Sequence, residues 1–379
     1  MNRRFVLTLL TIVIIFSAAA AAVFFAKGYT FSTQQGIVGT GIISVSSEPD
    51  SASVFIDDHL TTATDATIPS LPPKEYLVKV VKEGFIPWEK KVIVREGLVT
   101  ELNITLFPAA PTLYPLTFNG IQNPVLSPDG TKLVYYVPNG RKVGIWVWTM
   151  VTNQPIAFVR SSEPHQITDV TSGMDFSNAT FRWSPDSSKI IANIGKNNYL
   201  LDSDTLNNEP RDITPTLQST LSSWEEEVNV QNEALLKTIT EQRVRNIASS
   251  SAIIKWSPDE TKFMYGEVIN PEKKQVATRS AELKQLKNVR VYDLENDKEY
   301  SLPDAKSYTW LSTSMHVVLV EDNAISVVEF DGTNKSIIYA GMFGDSLVFP
   351  WPDASRLVFI TSFPTPTASV PNLYGVNLK

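Results

Sequence analysis

A short phrase recurs through the second half of this chain and limits its fold more than any other feature. It reads Leu126-Ser127-Pro128-Asp129-Gly130, then Trp183-Ser184-Pro185-Asp186-Ser187, then Trp256-Ser257-Pro258-Asp259-Glu260. A worn copy reads Trp351-Pro352-Asp353-Ala354-Ser355, and an eroded one starts at Trp310 with Leu311-Ser312-Thr313-Ser314. A basic residue and an apolar run follow the first four: Lys132 before LVYYV, Lys189 before IIANI, Lys262 before FMYG, Arg356 before LVFI. Proline presets φ, and serine and aspartate side chains bond nearby amides, so each phrase is a tight turn between two strands. Recurrence every few tens of residues marks a repeat fold, and the interval from 310 to 351 is about one four-stranded blade, ~40–45 residues.

Counting strands around these turns gives five units. The fifth, from 347 to the end, is one strand short. Residues 113–117 (LYPLT) form a spare strand that precedes the first unit and matches the slot of HQIT and RDIT in later ones. A strand borrowed from the start would close a ring and remove its exposed edges. The expected fold class is therefore all-β, a five-bladed propeller over 113–379 closed by an N-terminal strand, with a helical insertion. An open stack of sheets is the competing architecture. The phrase and its setting resemble the TolB-type β-propeller, whose blades carry Trp-Ser-Pro-Asp-Gly followed by lysine and an apolar strand. That resemblance implies wedge tryptophans at Trp183, Trp256, Trp310 and Trp351. It implies turn-forming roles for Ser127, Pro128, Asp129, Pro185, Asp186, Pro258, Asp259 and Asp353.

Residues 41–107 form a separate block of six or seven short alternating strands, read as a small β-sandwich. Its core is expected from Ile43, Val45, Val54, Ile56, Leu77, Val80, Val92, Val94, Leu102 and Ile104, with Phe85 and Trp88 as satellite cover. The segments GIISVSSEPDSASVFIDD, IPSLPPKEYLVKVVKEGFIPW and VIVREGLVTELNITL resemble the PEGA domain. The resemblance implies a structural or binding module of bacterial surface proteins. Asp57-Asp58 and Pro73-Lys74-Glu75 replace the turn glycines usual in that family. The Pro-rich segment 108–112 is a stiff linker to the repeat region.

Residues 5–26 carry no charge, and as a helix they would span roughly 33 Å. Arg3 and Arg4 precede them and Lys27 follows, a bias that keeps the amino end in the cytoplasm. The expectation is a transmembrane anchor over 1–27, a spacer over 28–40, and extracytoplasmic domains in a single-pass cell-membrane protein. A cleaved signal peptide is the rival reading.

Two insertions depart from the blade pattern. The first, 215–250, is helical: Ser223-Trp224-Glu225-Glu226 reads as a capping box, and Trp224, Val228, Leu235 and Ile239 recur at helical spacing. The second, about 270–288, is basic through Lys273, Lys274 and Arg279. These seven residues are the candidate partner contacts, since excursions on a rigid scaffold tend to carry binding. The rival reading is that both excursions simply pack on the scaffold or lie in solvent.

Chemistry is sparse. The chain has no cysteine, and a phosphate loop, a dinucleotide fingerprint, a nucleophile elbow and a zinc-protease motif are all absent. His59, His165 and His316 fall in different units. A net charge of −7 gives no reason to expect nucleic acid. No cofactor or metal is expected. The expected function is a non-enzymatic binding or scaffolding protein displaying a face to a protein, peptide or envelope glycan. An extracytoplasmic glycan- or peptide-acting hydrolase, and a purely structural envelope component, are the alternatives.

Overall fold

The computed structural model describes residues 3–26, 29–32, 36–150, 164–169, 173–250, 254–268, 286–344, 347–362 and 370–379. It divides into two compact units, Met1–Ala110 with Lys379, and Pro111–Leu378.

In the first unit, two sheets enclose one core. A three-stranded sheet orders Ala66–Leu71, Gly41–Glu48 and Val99–Thr105, the last two parallel. A four-stranded antiparallel sheet orders His59–Ala63, Ser53–Ile56, Glu75–Val81 and Trp88–Ile93. Ile43, Val45, Ile68 and Ile104 from one sheet pack with Val54, Tyr76, Val78, Val80, Trp88 and Val92 from the other. One expected core residue is wrong. Leu77 is half-buried, while Tyr76, Val78 and Val80 are buried. Side chains alternate along a strand, so Leu77 and Val80 cannot share a face, and the core takes the even-numbered set. Within the span read as a polar spacer, Tyr29–Ser32 and Gly36–Gly39 pair antiparallel.

Helix α1 spans Arg3–Ala26, where the sequence predicts a membrane anchor. Among the described residues, however, no helix is long and apolar enough to cross a membrane. The anchor, the membrane as a partner of 5–26, and the single-pass cell-membrane location with a cytoplasmic amino end therefore fall together.

Among the described residues, the second unit consists of five four-stranded antiparallel sheets. The first orders Gln122–Leu126, Lys132–Val137, Gly144–Thr149 and His165–Gln166; the second, Thr180–Trp183, Lys189–Ile194, Asn197–Asp202 and Arg211–Asp212. The third orders Ile254–Trp256, Lys262–Val268, Leu286–Asp293 and Lys298–Ser301; the fourth, Ser307–Trp310, His316–Val320, Ala324–Glu329 and Ser336–Ala340. The fifth orders Leu113–Pro115, Asn372–Asn377, Arg356–Thr361 and Val348–Pro350. The spare strand thus pairs with the final one, with Leu113 opposite Val376 and Tyr114 opposite Gly375.

Sheet faces meet at four junctions. Val134, Tyr136 and Val147 of the first sheet pack with Phe181, Trp183 and Ile190 of the second. The opposite face of the first, through Leu133, Tyr135 and Trp148, packs with Phe349, Val358 and Ile360 of the fifth. Met264 and Val291 of the third pack with Tyr308, Trp310 and Val317 of the fourth. Tyr339 of the fourth lies 4.7 Å from Phe359 of the fifth, centroid to centroid. The closed propeller expected from the sequence is not seen. The other face of the third sheet, carrying Phe263 and Tyr292, is covered by the helical insertion through Ile239, Val244 and Ala248. In a ring, that face would belong to the second sheet.

Candidate partner-binding surface

The five turns are built alike and set the geometry of everything else in this unit. At the serine position of each phrase, a backbone N–H donates to the carbonyl five residues on: Ser127 to Lys132, Ser184 to Lys189, Ser257 to Lys262, Leu311 to His316 and Trp351 to Arg356. Three residues after that position φ is positive: 73° at Gly130, 58° at Ser187, 61° at Glu260, 57° at Ser314 and 54° at Ala354. Trp351 therefore occupies the serine slot and Pro350 the tryptophan slot, a one-residue correction to the alignment of the worn copy. The cause is its missing serine, which brings the tryptophan one place closer to the aspartate.

In the three full copies the serine hydroxyl accepts the next strand's first amide: Lys132 at 2.8 Å, Lys189 at 2.8 Å and Lys262 at 3.0 Å. It donates in turn to the carboxylate of Asp129, Asp186 or Asp259. Hydrogen bonds from Ser184 first and then Ser188 hold the Asp186 carboxyl below the usual carboxylate range. At Asp129 and Asp259 burial pushes upward, and the bonds from serine and threonine outweigh it. Asp353 keeps part of this role, accepting the Ser355 amide at 2.9 Å. Pro128, Pro185 and Pro258 sit between these bonded groups as turn formers.

The helical insertion is the main departure from this regularity. After a single turn at Thr214–Thr216, α2 runs Leu217–Thr238 and α3 runs Gln242–Ser250. The expected capping box fails: Ser223 lies well inside α2, whose N-cap is Thr216 with no side-chain cap bond. Pro215 lies at the start of the helical path, nine residues before the first expected helical position, Trp224, and its fixed φ suits that place.

Only the end of the insertion is embedded. Ile239 is 3% exposed and packs with Val244 and Ala248 of α3 on Phe263 and Tyr292. Those two rings stack at 5.6 Å and 10°. Arg243 donates to the Tyr292 hydroxyl at 3.1 Å, and that hydroxyl donates to Asp297. Burial, then the bond to Asp297, push the Tyr292 phenol up to about 12. Arg245 donates to the Ile239 carbonyl and ties the loop between the helices.

By contrast, α2 has no buried residue. Trp224, Val228 and Leu235 are partly buried on one stripe with Leu217 and Leu221, and Val230 is 62% exposed. Glu225, Glu226, Glu227 and Glu233 are exposed beside them. Of the seven candidate contacts, the structure brings Trp224, Val228 and Leu235 onto one helix and puts Ile239 in the core. Lys273, Lys274 and Arg279 lie outside the described residues. The sequence reading missed Val230, because it falls off the helical stripe and has no other mark.

Nothing among the described residues resembles an enzyme's active site. No group of three or more His, Asp or Glu that could hold a metal occurs among them. His59 bonds the Asp57 carbonyl at 2.7 Å, and His165 bonds the Ser203 carbonyl at 2.9 Å. His316, 5% exposed, sits at the base of the fourth sheet's second strand. These are three separate structural positions.

Residues 40–110 match the PEGA domain family. No curated protein matches the chain. TolB from Acinetobacter baumannii is similar at 12% identity and a TM-score of 0.25, over 81% of this chain and 60% of that one. A putative TolB from Agrobacterium tumefaciens is similar at 16% identity and a TM-score of 0.23, over 65% of this chain and 76% of that one. This chain thus spans 60% of the length of the first. Scores this low carry no argument about fold or function. The firm relationship is that of the segment 40–110 to the PEGA domain.

Proposed function

We propose that this chain is a non-enzymatic binding or scaffolding protein, and that α2 is where it meets a protein or peptide partner. The observation that carries this is a 22-residue helix with no buried residue that nonetheless bears an apolar stripe. A helix packed fully on its own domain buries such a stripe completely, so one left only partly covered supports a contact made with another molecule. Trp224, Val228 and Leu235 are the contacts, the neighbouring glutamates form a polar rim, and Ile239 fixes the insertion to the third sheet. Sequence charge alone nominates Lys273, Lys274 and Arg279 as a second contact region. The PEGA-type segment and a turn-linked array of sheets are compatible with a scaffold that positions this helix.

The test is affinity capture with the full chain, followed by the Trp224→Ala, Val228→Ser double variant. A buried tryptophan anchor contributes about 2 kcal/mol or more, so recovery of the partner should drop at least tenfold while the melting profile stays unchanged. Undiminished recovery by a folded double variant contradicts the proposal.

A further inference from the structure

Three contacts link the first sheet to the second and the third to the fourth, and all three are missing between the second and the third. The first is an indole bond: Trp183 donates to the Val125 carbonyl of the first sheet at 3.0 Å, and Trp310 to the Lys255 carbonyl of the third at 3.1 Å. By the same offset, Trp256 should donate to Arg182 of the second sheet, yet its Nε1 is buried with no hydrogen-bond partner. The second joins turn to turn: the Asp129 amide donates to Ser187 Oγ at 3.3 Å, and the Asp259 amide to Ser314 Oγ at 3.0 Å. At the matching position in the third sheet stands Glu260, which has no hydroxyl to offer Asp186. The third is a lysine that crosses to the next sheet. Lys132 reaches Ser203 Oγ at 3.0 Å and Asp204 at 2.8 Å, and Lys262 lies over the Phe330 ring at 4.9 Å. Lys189 instead turns back to Asp202 of its own sheet at 2.6 Å.

These absences coincide with the face of the third sheet that the insertion covers. We infer that the second and third sheets form a seam, a junction held through the helical insertion instead of direct bonds, which opens more readily than its neighbours. A buried donor without an acceptor is destabilising, so the arrangement lacks at Trp256 what stabilises the equivalent positions. Opening the seam releases that penalty to solvent, whereas opening the Trp183 or Trp310 junction breaks a formed bond.

Indole N–H exchange, read by NMR on the intact wild-type chain, tests this directly. In the closed state the Trp256 Nε1 is shielded from water, so its exchange reports opening. It should exchange at least tenfold faster than the indoles of Trp183 and Trp310. Comparable protection of all three overturns the inference. A second reading uses the cysteine-free background. Spin labels at Thr205→Cys and Glu260→Cys, across the seam, should give a broad distance distribution. Labels at Glu260→Cys and Ser312→Cys, across the third and fourth sheets, should give a narrow one. Equally narrow distributions also overturn it.

Discussion

Replacing Ser184 by alanine isolates the bonding that builds each repeat. Ser184 is 3% exposed. Its hydroxyl accepts the Lys189 amide at 2.8 Å and donates to Asp186 Oδ1 at 2.6 Å. Alanine leaves the Lys189 N–H without that acceptor, a cost of about 1–3 kcal/mol, and removes one bond from a carboxylate that keeps Ser188. The sum should be about 2 kcal/mol, or a drop of roughly 4–8 °C in melting temperature for a unit of this size. Urea unfolding followed by tryptophan fluorescence measures it, with an unchanged slope as the check on a clean comparison. A loss below about 0.5 kcal/mol, within the usual range for surface substitutions, would show that water replaces the hydroxyl and that the serine is not what fixes the turn.

Three further outcomes are expected. Asp186 titrates below its unfolded value of ~3.9, so the folded state binds fewer protons there. Its contribution to stability is present above that value and is lost as pH falls through the folded one. Stability should therefore decline below about pH 4, and less steeply in Ser184→Ala, as acid titrations monitored by circular dichroism would register. Lys132→Met removes the bonds to Ser203 and Asp204; with Asp204 exposed, the loss should be about 1 kcal/mol, visible as a lower urea midpoint. Gly375→Ala would place a Cβ 2.7 Å from the Tyr114 ring, so proteolysis should cut near residues 111–117 faster in this variant than in the wild type.

How much of this was readable from sequence depends on whether a residue's role is local. The Ser-Pro-Asp turns are, because proline, serine and aspartate act on amides within five residues, and the strand at 113–115 follows from counting around them. Even the turn at Leu311, stripped of Ser-Pro-Asp, keeps its positive-φ residue at Ser314. What depends on partners distant in sequence was not legible. The run Tyr76–Val81 carries apolar residues on both faces, and Lys79 on the Leu77 face is the one local sign that the core takes Tyr76, Val78 and Val80. Ser223 stands three residues before Glu226, as a capping serine would, but the helix starts earlier, after Pro215. Trp351 looks like its three namesakes until hydrogen bonding places it in the serine slot. The seam has one sequence trace, Glu260 where the turns of the second and fourth sheets carry Ser187 and Ser314. The stacked Phe263 and Tyr292 that receive the insertion have none, since aromatic residues on a strand do not announce what covers them.

The fifth sheet takes its outer strand from the start of the second unit, and the count of five four-stranded sheets rests on that pairing. The Leu116 amide donates to the Leu373 carbonyl at 2.8 Å, and hydrogen exchange at that amide measures the pairing directly. It should be protected to a degree comparable with amides of Arg356–Thr361. Exchange at the rate of unpaired backbone would mean that the final sheet has three strands and that the repeat count has been read wrongly.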